Sequence, residues 1–269
     1  WRATPEFPEF EFRWQKEAST RLASLLSGEV HLAGLPDDLL KQAEGRGYGI
    51  KRAPQPGLRT FMSISCCFLN NPADPNSTYR FPDSPLMDVR VRRALNKAIN
   101  RDEMNKAFFA GKAELMILNH FNASRPGWNP EWEKQFPEEY GYDPAKARAL
   151  LAEAGYGPSK PLATTIQVVE AAGISGSGDI TEAIANYWKA IGVNVALQTI
   201  DSATRSALAR QYKFSNESFL QGTGSAQFTG VGFYNSGLQS PVVGVQDLEG
   251  NAVLQKLNAT VETEKQEPL

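Results

Sequence analysis

Apolar positions recur along this chain with two periods, and the switches between them outline its elements. In EFEFRW (9–14), Phe10, Phe12 and Trp14 alternate with polar residues, which predicts a strand. Leu22, Leu25 and Leu26 mark one face of a short helix that stops at Gly28. EVHLAG (29–34) predicts another strand, and PDDLLKQAEGRG (36–47) a helix with acids in its first turn. RTFMSISCCFL (59–69) is a nearly continuous apolar run and predicts a long strand. The Pro-, Asn- and Asp-rich stretch 70–85 predicts a loop.

Further on, Asp88 caps a helix over VRVRRALNKAI, whose Val91, Ala94, Leu95, Ala98 and Ile99 share one face. Asp102 caps its continuation through Met104, Ala107 and Phe108 to Gly111. Trp128, Trp132, Phe136 and Tyr140 fall in a Pro- and Gly-punctuated stretch, 118–142, that predicts a loop. Asp143 and Pro144 then supply the N-cap and first residue of a helix with Ala147, Leu150, Leu151 and Ala154 on its buried side. LATTIQVVE (162–170), the loop GISGSGDI (173–180), ITEAIANYWKAI (180–191) and VNVALQTID (193–201) read as strand, glycine loop, helix and strand. ATRSALARQY predicts a helix, SFLQG a short strand, and NAVLQKLNATVETEKQ a final helix. The whole is of mixed α/β class.

Composition narrows the function. With 269 residues, 41% hydrophobic and 22% charged, the chain can bury a substantial core. A net charge of −2 argues against a nucleic-acid partner, which needs concentrated positive charge. The basic run RVRRALNKAINR reads as the solvated face of an amphipathic helix. Cys66 and Cys67 are adjacent in an apolar run and are expected to be buried thiols, because a disulfide between neighbours demands unusual backbone geometry.

The glycine loop raises the question of a dinucleotide. A pyrophosphate-binding loop needs G-x-G-x-x-G, whereas this one runs G-x-x-G-x-G and has Thr181 where the third glycine belongs. Asp179 with Glu182 is expected to form a capping box on the very amides a phosphate requires. No catalytic or metal constellation emerges either: His31 and His120 lack partners at ligand spacing, and no G-x-S-x-G elbow occurs. A cofactor is therefore not expected. What stands out instead is a concentration of aromatic and amide residues in loops, including Asn119, His120, Phe121, Asn122, Trp128, Gln221 and Gln227, which suits non-covalent ligand binding.

The runs RVRRALNKAINRDEMNKAFFAGKA and YDPAKARALLAEAGYG closely resemble the extracellular solute-binding proteins, family 5, that feed peptide, nickel and related ABC importers. EASTRLASLLSGEVHLAGLPDDLL and EAIANYWKAIGVNVALQTID are similar to further elements of that family, with His31 where an acid is usual. The resemblance runs from about residue 6 to 262. It implies a two-lobed periplasmic-binding-protein type II-like fold, here incomplete: residues 1–60 in the later part of the first lobe, 61–250 in the second lobe, 251–269 a truncated helix.

The implied function is non-enzymatic capture of a small-molecule or peptide-like ligand by hinge closure, with delivery to an ABC permease complex. The implied protein is a monomer, periplasmic or extracytoplasmic and open to lipid anchoring. Asn119, Trp128, Gln221, Gly222 and Thr223 are the expected ligand contacts. Peptide-binding members carry an acid in the loop after the strand equivalent to SFLQG; here Gly222–Gln227 contains none. That departure implies a ligand neutral or weakly charged where it meets this lobe. A peptide-binding receptor module on the same fold would differ only in partner. The rival of another class is a nucleotide-dependent enzyme built on residues 162–201.

Overall fold

A computed structural model describes residues 7–15, 17–51, 58–71, 74, 76–118, 128–169, 174, 176–224, 246 and 248–260. The chain divides into two compact units, residues 1–54 and 55–269.

In the first unit, helix α1 (Ala18–Leu26) buries Leu22 and Leu25 against Ala43 of helix α2 (Asp37–Glu44). Tyr48 Oη donates to the Leu25 carbonyl at 2.6 Å, satisfying an acceptor in the last turn of α1. Gly28 ends the turn at φ 77°, a conformation glycine adopts without steric cost. Neither EFEFRW nor EVHLAG is a strand. Alternation supplies a face but not a partner, and among the described residues neither run has a ladder to join. Phe10, Phe12 and Trp14 stand 69%, 79% and 83% exposed.

The second unit is built on a four-stranded mixed sheet: β1 (Leu58–Ser65), β2 (Ala163–Val168), β3 (Asn194–Thr199) and β4 (Glu217–Gly224), in the order β1-β4-β2-β3. Strand β4 runs antiparallel to β1 and parallel to β2, and β2 runs parallel to β3. Around it lie α3 (Val89–Lys97), α4 (Arg101–Phe109), α5 (Glu131–Tyr140), α6 (Pro144–Glu153), α7 (Ser177–Ala190), α8 (Ser202–Arg210) and α9 (Leu248–Ala259). The main core joins Val91, Ala94 and Leu95 of α3 to Ala147 and Leu151 of α6, Ile166 of β2 and Ile180, Ile184 and Trp188 of α7.

Caps decide the helix starts. Asp88 accepts from Arg90 N and Asp143 from Lys146 N, both at 2.8 Å, as expected. Helix α4 begins differently: Asn100, in extended backbone, accepts from Glu103 N, and Asp102 lies in the first turn. Residues 131–140, expected as loop, are helix α5 despite Pro137 within it. Trp132, Phe136 and Tyr140 recur at i,i+4, the helical neighbour spacing, and the Phe136 ring touches that of Tyr140.

The basic run is a solvated face only in part: Arg90 and Arg93 are exposed, whereas Arg92 and Arg101 are half-buried and Lys97 is buried. Lys97 is buried and donates to Glu138 O at 2.6 Å, Arg101 donates to Tyr140 O at 3.1 Å, and Arg93 pairs with Glu139 at 3.0 Å. Arg90 donates to Glu153 O at 2.7 Å, and Arg92 reaches the Leu86 and Met87 carbonyls. These cations close the C-terminal ends of α5 and α6 and the turn before α3, where unpaired carbonyls and the helix dipole both favour positive charge.

The cysteine expectation is half corrected. Both residues are buried, but Cys66 and Cys67 are joined to each other in a disulfide. Regular β1 pairing ends at Ser65, so the pleat that would send neighbouring side chains to opposite faces no longer applies there. The next turn of chain is held by Gln246, whose N–H donates to Cys67 O and whose Oε1 accepts from Leu69 N, both at 2.8 Å.

Candidate functional site

Strands β2 and β4 lie side by side and parallel, so their carboxyl ends share one edge of the sheet. From β2 the chain passes through α7 to β3 on one side, then through α8 back to β4 on the other. The strand order therefore reverses between β2 and β4. Outside the carboxyl ends of strands at such a reversal, open α/β sheets leave a crevice suited to a ligand.

The two helices cover opposite faces. Ile166 of β2 packs with Ile180, Ile184 and Trp188 of α7. In the ladder Ile166 is level with Ser218 and Gln167 with Phe219, so Gln167 and Phe219 project to the other face. There the Arg205 guanidinium of α8 lies 4.6 Å from the centre of the Phe219 ring. Ala209 of α8 packs in a small cluster with Phe68 and Phe214, and Phe214 in turn touches the Phe219 ring.

Strand β4 continues beyond β2. Its pairing with β2 spans Glu217–Phe219, while Gln221, Gly222 and Thr223 lie level with Phe61, Thr60 and Arg59 of β1. Gly222 to Gly224, expected to open a loop, are thus the last residues of the strand. Three of the expected ligand contacts, Gln221, Gly222 and Thr223, stand together at the carboxyl end of the parallel pair. Trp128 lies just before α5, edge-on to Trp132 with the ring centres 5.4 Å apart. Asn119 lies outside the described residues, as do Gln227 and the loop residues 170–173.

The glycine loop is resolved in part. Helix α7 begins at Ser177 after Gly176 in the left-handed region, φ 70°, and no side chain caps it. The expected capping box is therefore absent, because Asp179 falls inside the first turn rather than before it. Its charge still occupies the positive end of the helix, where a phosphate would sit. Asp201, which a dinucleotide fold would use on a ribose, is instead the N-cap of α8. It accepts from Thr204 N at 2.9 Å and from the Thr204 hydroxyl, and these bonds hold its carboxyl below the ordinary value.

A surface hollow lined by Asn100, Asp102, Glu103, Lys106 and Tyr142 shares no residue with β2, β4 or α8. Beside it Tyr187 donates to Glu103 at 2.7 Å, and burial followed by that bond holds its phenol well above the ordinary value. Tyr187 is thus a neutral donor and not a base. Among the described residues no group of His, Cys, Asp and Glu is arranged to hold a metal. No described helix is long and apolar enough to cross a membrane.

Sequence reasoning singled out neither Gln167 nor Arg205, and Phe219 entered only as part of the predicted strand SFLQG. A glutamine in LATTIQVVE and an arginine in a helix carry no signal until the sheet order brings them to one strand position.

The profile described as "Bacterial extracellular solute-binding proteins, family 5 Middle" matches residues 1–240. The chain is 25% identical over 203 residues to the dipeptide-binding protein of Escherichia coli K12, covering 75% of this chain and 34% of that protein. It is 29% identical over 212 residues to the glutathione-binding protein GsiB of Pectobacterium atrosepticum, covering 77% of this chain and 36% of that one. Among solved structures, the murein tripeptide-binding protein MppA of Escherichia coli superimposes with a TM-score of 0.64 at 20% identity, over 87% of this chain and 43% of that chain. The oligopeptide-binding protein AppA of Bacillus subtilis gives 0.62 at 16% identity, over 94% and 49%. The structural likeness shows the fold, that of two-lobed binding proteins of which this chain spans less than half.

Proposed function

This chain belongs to the bacterial extracellular solute-binding proteins, family 5, and from that premise we propose that it contributes the second lobe of the substrate-binding component of an ABC importer. The protein captures a small polar, peptide-like solute outside the cytoplasm, closes on it about a hinge, and delivers it to a membrane permease. It acts as a monomer and without catalysis. Relatives named for a dipeptide, for glutathione and for murein peptide support a peptide-like ligand.

The observation that carries this reading is the reversal of strand order between β2 and β4, with Gln221, Gly222 and Thr223 at its carboxyl edge. Neutral backbone and amide groups there can bind a polar solute without stranding a charge. Trp128 and Asn119 complete the proposed contacts. The nucleotide-enzyme reading loses its support, since Asp201 is committed to capping and the family is one of solute binding.

Isothermal titration of the full chain against a panel of di- and tripeptides, with NAD and ATP alongside, tests the assignment. Saturable binding of a panel peptide and none of the nucleotides is expected; saturable NAD or ATP binding overturns the proposal.

A further inference from the structure

On the α8 face of the sheet Arg205 stands outside every described ion pair, and the acid on that face, Glu217, accepts instead from the Ser215 and Asn216 amides. Arg205 lies one turn into α8, its guanidinium stacked over Phe219, and Phe219 is level with Gln167 in the neighbouring strand. Gln167 is 3% exposed. Arg205 Nη1 and Gln167 Oε1 are both buried, and neither has a hydrogen-bond partner. Arg205 takes part in none of the described ion pairs. Its environment offers only burial, which lowers its pKa from the ordinary value with no acid opposing.

Buried polar groups are paired in the great majority of folded proteins, so each exception needs a reason. The other unpaired buried atoms among the described residues are all neutral hydroxyl or amide groups: Ser65 Oγ, Ser218 Oγ, Asn216 Oδ1 and Gln246 Nε2. A guanidinium is costlier to leave unsatisfied, because an unpaired charge adds to the lost hydrogen bond. Contact with the Phe219 ring restrains the guanidinium, whose paired N–H donors match a planar oxyanion. The acceptor alongside, Gln167 Oε1, asks for the opposite partner, an N–H donor.

The position fits the ligand edge of the sheet. Helix α8 starts directly after the carboxyl end of β3, so its first turns lie at the same edge as Gln221–Gly224. Gln167 is the penultimate residue of β2.

We propose that Arg205, stacked on Phe219 and flanked by Gln167, is the anion-recognition residue of the solute site. It takes a carboxylate of the bound solute, while Gln167 Oε1 accepts from an N–H adjacent to that carboxylate. This inference rests on the solute-binding reading and deepens it. It also amends the expectation of a ligand neutral toward this lobe, which considered the loops and not the helix behind the sheet.

The test uses the full chain and three probes: trialanine with a free carboxylate, trialanine amide, and inorganic phosphate. Titration calorimetry on the wild type should show the free acid favoured over the amide by about tenfold or more, with phosphate weak. R205Q should lose that preference by weakening the acid alone, and R205K should restore part of it while keeping the charge but not the fork. Thermal unfolding of each variant establishes that it is folded. If R205Q binds the acid as the wild type does, or phosphate binds as tightly as trialanine, the assignment is overturned. Equal binding of acid and amide leaves the solute site standing and removes Arg205 from it. Binding of none of the probes overturns the carboxylate assignment as well, and saturable NAD binding in its place removes the solute reading with it.

Discussion

The indole N–H of Trp188 donates to the carbonyl of Leu95 at 2.9 Å, joining residues 93 positions apart through one fully buried bond. Leu95 lies in the last turn of α3, where carbonyls run out of helical partners, and Trp188 supplies one from the middle of the core. This bond ties α3 to α7, the helix that packs against Ile166 of β2.

Trp188→Phe should therefore destabilise the second unit by about 2 kcal/mol or more, combining a lost hydrogen bond, an unsatisfied buried carbonyl and a smaller ring. Urea unfolding followed by circular dichroism measures it. A change within error would mean that water replaces the indole at Leu95.

Lys97→Met should also destabilise, by about 1–3 kcal/mol, because it removes the donor that the buried Lys97 supplies to the Glu138 carbonyl at the end of α5. Loss of charge on a truly solvated face would change stability by no more than about 0.5 kcal/mol. Chemical denaturation of the variant beside Arg148→Met, an exposed control, distinguishes the two.

Asp143→Ala should lower stability by about 1 kcal/mol through loss of the bond from Lys146 N, and Asp143→Asn should recover most of it. Peptide affinity should be unchanged in both. A large loss of affinity with unaltered melting would show that Asp143 touches the ligand.

Asp88 gives stability a pH dependence of defined sign. The Arg90 side chain, the largest cause, holds the Asp88 carboxyl below its ordinary 3.8. The folded state thus binds this proton less readily than the unfolded one, and the stabilisation is complete above 3.8 and lost as pH falls through the lower folded value. Asp88→Asn should flatten the acid limb of the stability curve and leave the neutral region nearly parallel to the wild type. Melting curves from neutral pH down to the acid limit check this; an unchanged acid slope would remove Asp88 from the account.

How much of this was legible depended on whether the signal was local. The helix at Asp143-Pro144, the cap at Asp88 and the strand–helix–strand at 162–201 announce themselves within a few residues, and they formed as expected. EFEFRW shows the limit of periodicity: alternation shapes a face, but a strand needs a neighbour that no pattern supplies. The basic run failed for a different reason. The partners of Lys97 and Arg101 include backbone carbonyls at the end of α5, which have no sequence identity to read, so both looked solvent-bound until the fold placed that helix end beside them. Gln167 and Arg205 were hidden by topology, since only the order β1-β4-β2-β3 brings β2 against β4.

Gln221 provides the sharpest test of the site itself. It stands level with Phe61 of β1, two residues beyond Phe219, where β4 has outrun its pairing with β2. A glutamine at the carboxyl edge of a parallel pair can both donate to and accept from a polar solute, and each such neutral bond contributes about 1 kcal/mol. Gln221→Ala should accordingly weaken trialanine binding about five- to tenfold, and Trp128→Ala by a similar factor through lost stacking surface. Neither loss should vary much with salt, because neither contact is ionic. Calorimetry at low and high ionic strength makes the measurement. If Gln221→Ala binds as the wild type does while R205Q does not, the ligand lies on the α8 face of the sheet without reaching the end of β4.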